Sequence, residues 1–441
     1  MGIGNIVFII ILLAASAAFG YQASKIRRNI LLGKDLDRND RKKDRWILMI
    51  KVALGQSKMV VRPVAGIMHI FIYAGFVIIN IEVLEIVIDG IFGTHRAFAF
   101  LGGFYDFLIG SFEILAFLVL FSCVVFFTRR NAINIKRFHS KEMKGWPKSD
   151  ANLILVVEVL LMFAFLSMNS TDYLLQQRGA DHYIAAGAYP ISSLMTPMFE
   201  WMSTDGLIIY ERSAWWFHIV GILLFLNYLP ISKHFHIILA FPNVFYSKLQ
   251  PAGKFTNMDR VTDEVKLMMD PTADPFAAPP PTDSDAAPEK FGAKDVQDLT
   301  WKNLMDAYSC TECGRCTSNC PANNTGKLLS PRKIMMDTRD RLEEVGKNID
   351  KHGPEYNDGK ALLGDYISEE ELWACTTCNA CTDACPVNIN PLEIIVDLRR
   401  YLVMEESKNP SELTGMFTNV ENNGAPWAFP QADRLKWAEE F

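Results

Sequence analysis

The chain has 441 residues, half of them hydrophobic, a net charge of −6 and a pI near 5.8. That length accommodates two or three domains, and the acidic balance, with no basic stripe in the polar half, argues against nucleic-acid binding. Apolar blocks run to about Tyr246, and the remainder is charged and interrupted by prolines.

Five apolar stretches are long enough to cross a hydrocarbon core, which needs roughly 20 residues of helix. They are approximately Ile3–Gln22, Val64–Ile88, Phe104–Phe127, Asn152–Ser170 and Ala214–Phe235. The first does not read as a signal peptide, because nothing basic precedes it and Lys25, Arg27 and Arg28 follow it. Twelve Lys/Arg residues lie between the first and second spans, from Lys25 to Arg62, and seven between the third and fourth, from Arg129 to Lys148. The alternate loops carry only Arg96, and then Arg178 with Arg212. The positive-inside rule puts the N-terminus outside and the C-terminus in the cytoplasm. The outer loop from about Thr171 to Ser213 reads as a cap with short helices.

Four of the eight histidines, His69, His218, His234 and His236, fall in or at the ends of spans. Ionisable groups at membrane depth usually face the bundle interior for a functional reason. His69 lies seven residues past Arg62, about 10 Å below the cytoplasmic face. On a continuous fifth span His218 and His236, eighteen residues apart, share one face with ~27 Å between them, and His234 points elsewhere. His69 and His236 then match in depth on different helices, as the axial ligands of a b-type haem must. His218 has no histidine partner in the outer half of spans two to four; His95 and His182 reach it only if their loops fold inward, and otherwise it serves a quinone carbonyl or a carboxylate. Glu82, Glu85, Glu113 and Glu158 also sit at membrane depth and are candidates for proton relay, or for pairing with the histidines or Arg62.

From Gln250 to about Gln297, Pro271, Pro275, Pro279, Pro280 and Pro281 among Asp and Ala predict an extended, poorly helical tether. Beyond it, 3.6-residue periodicity predicts helices over Asp298–Ser309, Ser330–Lys347, Ser368–Ala374 and Pro391–Glu405, with a polar excursion over Asp350–Gly364.

Eight of the nine cysteines form two runs, Cys310-x2-Cys313-x2-Cys316-x3-Cys320-Pro321 and Cys375-x2-Cys378-x2-Cys381-x3-Cys385-Pro386. This is the spacing of a bacterial [4Fe–4S] site, in which the fourth cysteine of each run serves the other cluster. One cluster is therefore expected on Cys310, Cys313, Cys316 and Cys385, and a second on Cys375, Cys378, Cys381 and Cys320. Zinc sites leave the middle cysteine of each C-x2-C-x2-C unexplained, and thiols that must stay reduced fit a cytoplasmic location. Cys123, in an apolar block, reads as a small buried hydrophobe. No repeat is visible beyond the two runs.

The five spans, with His218 and His236 flanking Leu229-Pro230-Ile231-Ser232-Lys233, resemble the cytochrome b subunit of respiratory nitrate reductase and that of membrane-bound heterodisulfide reductase. The cysteine runs resemble the small iron–sulfur subunit of heterodisulfide reductases. Together the chain resembles fused quinone-linked iron–sulfur oxidoreductases of bacteria. In the nitrate-reductase family four histidines hold two haems; His69, His218 and His236 match three of them, and the fourth falls at Ile79, which cannot ligate. The tail Asn422-Asn423-Gly424-Ala425-Pro426-Trp427, with Arg434 and Trp437, resembles a segment that leads into a Cys-Cys-Gly catalytic domain in longer relatives, implying that such a domain is a separate polypeptide docking on this tail.

The expectation is an all-α membrane protein: a five-helix cytochrome b-like bundle (1–249), a linker (250–297), a cytoplasmic dicluster ferredoxin domain (298–404) and a tail (405–441). It is expected in the bacterial inner membrane, passing electrons between a cytoplasmic partner (a Cys-Cys-Gly-type subunit or a flavoprotein) and menaquinone or another quinone through two [4Fe–4S] clusters and b haem on His69 and His236. His218 and His234 are reserved for a second haem or the quinone. With no dinucleotide or phosphate-loop motif, flavin or nicotinamide chemistry falls to a partner. The alternatives are a haem-free iron–sulfur protein with a quinone site and a membrane anchor with structural clusters.

Overall fold

The computed structural model describes residues 2–133, 135–272 and 290–439. Among them no strand forms; the only pairings are the isolated bridges Lys34–Thr300 and Leu363–Ile367. Helix α1 spans Ile3–Ile30 and a short α2 spans Lys42–Met49; α3 covers Pro63–Phe92, α4 Gly103–Asn131, α5 Trp146–Gln177 and α6 Thr204–Tyr228. Five helices, α1 and α3 to α6, are long and apolar enough to cross a membrane. Their ends are written locally. Pro63 opens α3, where a missing N–H costs nothing, and Gly93 closes it with φ +73°. Ser203 caps α6 by accepting from the Gly206 N–H at 3.1 Å. Small residues let the helices approach: a Cβ on Gly75 would meet Val119 at 2.4 Å, and one on Gly90 would meet the Phe8 ring at 2.6 Å.

The fifth span is not one helix. It ends at Tyr228; a 3-10 turn over Leu229–Ile231 leads to Ser232, whose φ of −121° and ψ of 153° are extended. A second turn, Lys233–Phe235, precedes α7 (His236–Phe245). Pro230 carries no N–H to continue the ladder. Asp150 on α5 catches the break, accepting from Tyr228 Oη at 2.5 Å and from the Lys233 N–H at 3.2 Å. The five-turn relation expected between His218 and His236 therefore does not hold.

Helix α8 (Asp259–Met269) lies within the stretch expected to be poorly helical. Pro275, Pro279, Pro280 and Pro281 of the expected tether fall in 273–289, outside the described residues. Then follow α9 (Trp301–Ser309), α10 (Arg315–Asn319), α11 (Pro321–Asn324), α12 (Pro331–His352), α13 (Glu369–Trp373), α14 (Ala380–Ala384), α15 (Pro391–Met404), α16 (Ser411–Asn423) and α17 (Lys436–Glu439).

The repeat reaches beyond the cysteines. A capping box on Thr300 starts α9 before Cys310, and one on Ser368 starts α13 before Cys375. The short helices α10 and α14 each end at a Cys-Pro, and Ser330 and Asn390 cap the long helices α12 and α15, each opened by Pro. Thr317 Oγ1 lies 2.9 Å from Ser330 Oγ, and Thr382 Oγ1 donates to Asn390 Oδ1 at 3.1 Å. Polar spacers hid this symmetry from the sequence.

One apolar core joins the two halves. Ile26, Ile30, Leu229, Phe235 and Leu239 from the bundle side pack in the same cluster as Leu304, Ile334, Leu372 and Ile395. A second core, around Phe8, Ile79, Phe112, Phe165 and Ile219, lies within the bundle.

Candidate redox centres

Each cysteine run folds into the same loop. The second residue after the first cysteine and the one after the second cysteine are left-handed: Glu312 (φ 55°) and Gly314 (φ 70°), then Thr377 (φ 54°) and Asn379 (φ 62°). Asn tolerates this region, whereas Gly314 has no alternative, since a Cβ there would lie 2.5 Å from Arg332 Nη1. Backbone N–H groups turn toward the sulfurs: Thr377 donates to Cys375 Sγ at 3.4 Å and Ile389 to Cys385 Sγ at 3.3 Å.

The structure brings Cys385 within electrostatic range of Cys310, Cys313 and Cys316, and Cys320 within range of Cys375 and Cys381. Cys320, Cys375, Cys378 and Cys381 line one enclosed pocket closed by Leu392 and Ile395. No cysteine is in a disulfide. Among the described residues no three His, Cys, Asp or Glu side chains converge on a single metal ion; a four-iron cluster spreads its thiolates wider than one tetrahedral ion with bonds of about 2.3 Å. Burial pushes the Cys310 and Cys385 thiols up to about 12 and Cys381 up to about 11, so thiolates form there only with cationic compensation. Arg315 supplies charge beside Cys313 and Cys385, and Arg399 beside Cys375. The donor set thus fits two clusters. Cys378 in the Cys375 loop is exposed, while the Cys310 loop is bonded to the bundle side through Glu312, Arg315 and Ser318.

That loop is docked by several bonds. Arg315 donates to the carbonyls of Lys58 at 2.9 Å and Met59 at 3.1 Å. Arg62 donates to Ser318 Oγ at 2.7 Å rather than to a membrane carboxylate. His69, nearly two turns into α3, lies within electrostatic range of Arg315 and of His236. Its Nδ1 is buried with no hydrogen-bond partner. His236 Nδ1 lies 3.1 Å from the Lys233 carbonyl, which can only accept, so Nδ1 carries the proton and Nε2 keeps its lone pair. His234, expected to point away, has its ring 5.4 Å from that of His236. His69 on α3 and His236 at the end of the 232–236 turn thus each keep a ring nitrogen that could ligate a metal.

His218 stands apart, buried on α6, with Nδ1 3.0 Å from the Leu161 carbonyl. By the same reasoning its Nε2 is an acceptor, which can ligate iron or take a proton but cannot donate to a quinone carbonyl. His95 does fold inward, yet it pairs with Asp172 (Nε2–Oδ1 3.3 Å) and packs on His182 and Tyr183. Asp172 is eleven residues along α5 from Leu161, about 16 Å, so neither loop histidine is a partner for His218.

Glu82, Glu85 and Glu113 are not paired with the four span histidines or Arg62; their partners lie elsewhere. Arg96 is buried at the end of the bundle distal to the cysteines, 2.6 Å from Asp172, 3.4 Å from Glu82 and 2.8 Å from Asn169. Glu85 accepts from the Phe98 N–H at 2.7 Å and from Tyr105 Oη at 2.9 Å. Glu113 accepts from the N–H groups of Ile191 and Ser192 at 2.9 and 3.1 Å. Glu82 Oε2 is buried without a hydrogen-bond partner, and Glu82 lines a polar crevice with His95, Arg96, Asp172, Glu211 and Arg212. Sequence reading missed Arg96, Asp172 and Glu211; an Arg in an otherwise cation-poor loop was the available signal.

Residues 309–389 match the 4Fe-4S dicluster domain family. The chain therefore carries a 4Fe-4S dicluster domain, joined to helices of membrane-spanning length. It is 30% identical over 466 residues to the "Probable iron-sulfur-binding oxidoreductase FadF" of Bacillus subtilis, covering 99% of this chain and 61% of the relative. It is 27% identical over 465 residues to the "EtfAB:quinone oxidoreductase" of Syntrophomonas wolfei, covering 99% and 59%. Over 176 residues it is 33% identical to the "Probable membrane-anchored ferredoxin" of Chromohalobacter salexigens, covering 36% and 26%. The chain spans about three fifths of the length of the first two relatives. No solved structure matches.

Proposed function

We propose that this protein is a membrane-anchored electron-transfer subunit linking a cytoplasmic redox partner to the quinone pool. Two [4Fe–4S] clusters and a b haem supply one-electron carriers when bound. Cys310, Cys313, Cys316 and Cys385 hold the first cluster; Cys375, Cys378, Cys381 and Cys320 hold the second; His69 and His236 hold the haem. Residues 1–249 form a cytochrome b-like bundle, 250–297 the linker, 298–404 the ferredoxin domain and 405–441 a docking tail. The cluster domain lies on the cytoplasmic side of a bacterial inner membrane, where the Lys/Arg-rich loops lie.

One observation carries this reading: the Cys310 loop is seated on the same end of α3 and the same turn after α6 that present His69 and His236. The exposed Cys378 loop is then the side that meets the partner. The Syntrophomonas relative's printed name supports a quinone as one substrate and an electron-transferring flavoprotein as the other. His218, without a second imidazole, is assigned to proton or quinol contact, and Glu82 with the Arg96–Asp172–His95 network to proton relay.

The test records visible and EPR spectra of the anaerobically purified, oxidised protein after addition of a quinol analogue and, in a separate sample, after dithionite. A sharp b-type α band and two interacting cluster signals that respond to quinol are expected. Clusters indifferent to quinol would favour a structural role, and no α band would leave a haem-free protein.

A further inference from the structure

The two cysteine loops match in backbone but differ in charge at three aligned positions, Glu312 against Thr377, Arg315 against Ala380 and Ser318 against Asp383; of these, Glu312 is the buried anion of the first loop. Where the second loop has Thr377, the first has Glu312. Its carboxylate is 2% exposed. One oxygen accepts from Arg339 Nη1 at 2.9 Å, and the other accepts from Lys233 Nζ. The Lys233 ammonium also donates to the Pro147 carbonyl at 2.6 Å and lies 3.8 Å from Asp150. The Lys233 backbone is held at both ends: its N–H reaches Asp150, and its carbonyl faces His236 Nδ1 at 3.1 Å. A continuous set of contacts therefore runs from between two cluster ligands, through one lysine, to the ring of His236.

We propose that Glu312 and Lys233 are positioning residues that fix the His236 ring against the Cys310–Cys316 loop and set the potential of the first cluster selectively. This rests on the reading that the loop carries a cluster and His236 a haem. Charges this buried are weakly screened. Removing the carboxylate makes an added electron on the neighbouring cluster more favourable, and removing the ammonium makes it less so. A docking contact alone predicts no such opposition of sign.

The test uses the full chain in membranes or detergent, with Glu312→Gln, Lys233→Gln and Lys233→Arg. EPR-monitored redox titration reads both clusters, and optical titration reads the haem. Glu312→Gln is expected to raise the first cluster's midpoint potential and Lys233→Gln to lower it, with the second cluster unmoved. Lys233→Gln should also shift the haem midpoint, while Lys233→Arg restores values near the wild type. If Glu312→Gln does not assemble clusters, Arg339→Gln joins Lys233→Gln as a second removal of positive charge and should also lower the first cluster. Shifts of one sign in Glu312→Gln and Lys233→Gln, or equal movement of both clusters, would overturn the proposal. A wild-type protein with no b-type band sinks the haem reading instead, and that result is known before any variant is made.

Discussion

Arg332 donates to the backbone carbonyl of Arg137 at 2.7 Å, although 195 residues separate them. Arg332 is fully buried, and its guanidinium also reaches Ser140 and Glu142. It joins the helix after the first cluster loop to the connection between α4 and α5. Removing one partner of a buried pair strands the other. Arg332→Met is expected to lower stability by about 3 kcal/mol, measured by thermal unfolding in detergent. An unchanged melting curve would show that the contact is dispensable.

Exchange of the fourth ligand separates the two clusters genetically. Cys385→Ser should abolish the cluster of the Cys310 run and leave that of the Cys375 run, and Cys320→Ser should do the reverse. Iron and sulfide analysis with EPR reads the outcome. Each variant losing its own run's cluster instead would refute the crossed assignment.

His69→Ala and His236→Ala should each eliminate the b-type α band while leaving cluster EPR intact. His218→Ala should keep the band. A band that survives His236→Ala would transfer the role to His234, whose ring lies 5.4 Å away.

Gly314→Ala tests backbone need rather than side-chain chemistry. The φ of +70° costs an alanine about 1 kcal/mol, and its Cβ would also press on Arg332 at 2.5 Å. First-cluster occupancy should fall, as measured by iron content per protein, whereas Asn379→Gly at the matching position should be tolerated.

Glu82→Gln keeps the shape of the distal crevice but removes an unpartnered carboxylate oxygen. Quinone-linked turnover is expected to drop by up to about a hundredfold, with reduction of the clusters by dithionite unaffected. Full turnover in the variant would remove Glu82 from the proton path.

Much was legible before any coordinates. Membrane-length helices announce themselves because backbone groups in lipid must pair within their own segment, so apolar length alone marks α1 and α3 to α6. The cysteine spacing is equally local, since one tight loop supplies three ligands. The break after Tyr228 was readable in Pro230 and the polar Ser232-Lys233-His234 that follows, but the apolar run before it masked it. The partners of Glu82 and Glu85 were not readable, because Arg96 folds inward from a loop and the pairing with Asp172 spans 76 residues.

By itself, the sequence determined the elements with short-range causes: helices set by apolar length, capping residues and prolines, and two loops set by cysteine spacing. Only the tertiary structure decided which residues meet. It placed Cys385 beside the first run, joined Glu312 to Lys233 across 79 residues, and gave the two halves one apolar core. Such pairings depend on how helices pack, and packing follows from the summed fit of many side chains rather than from any local pattern.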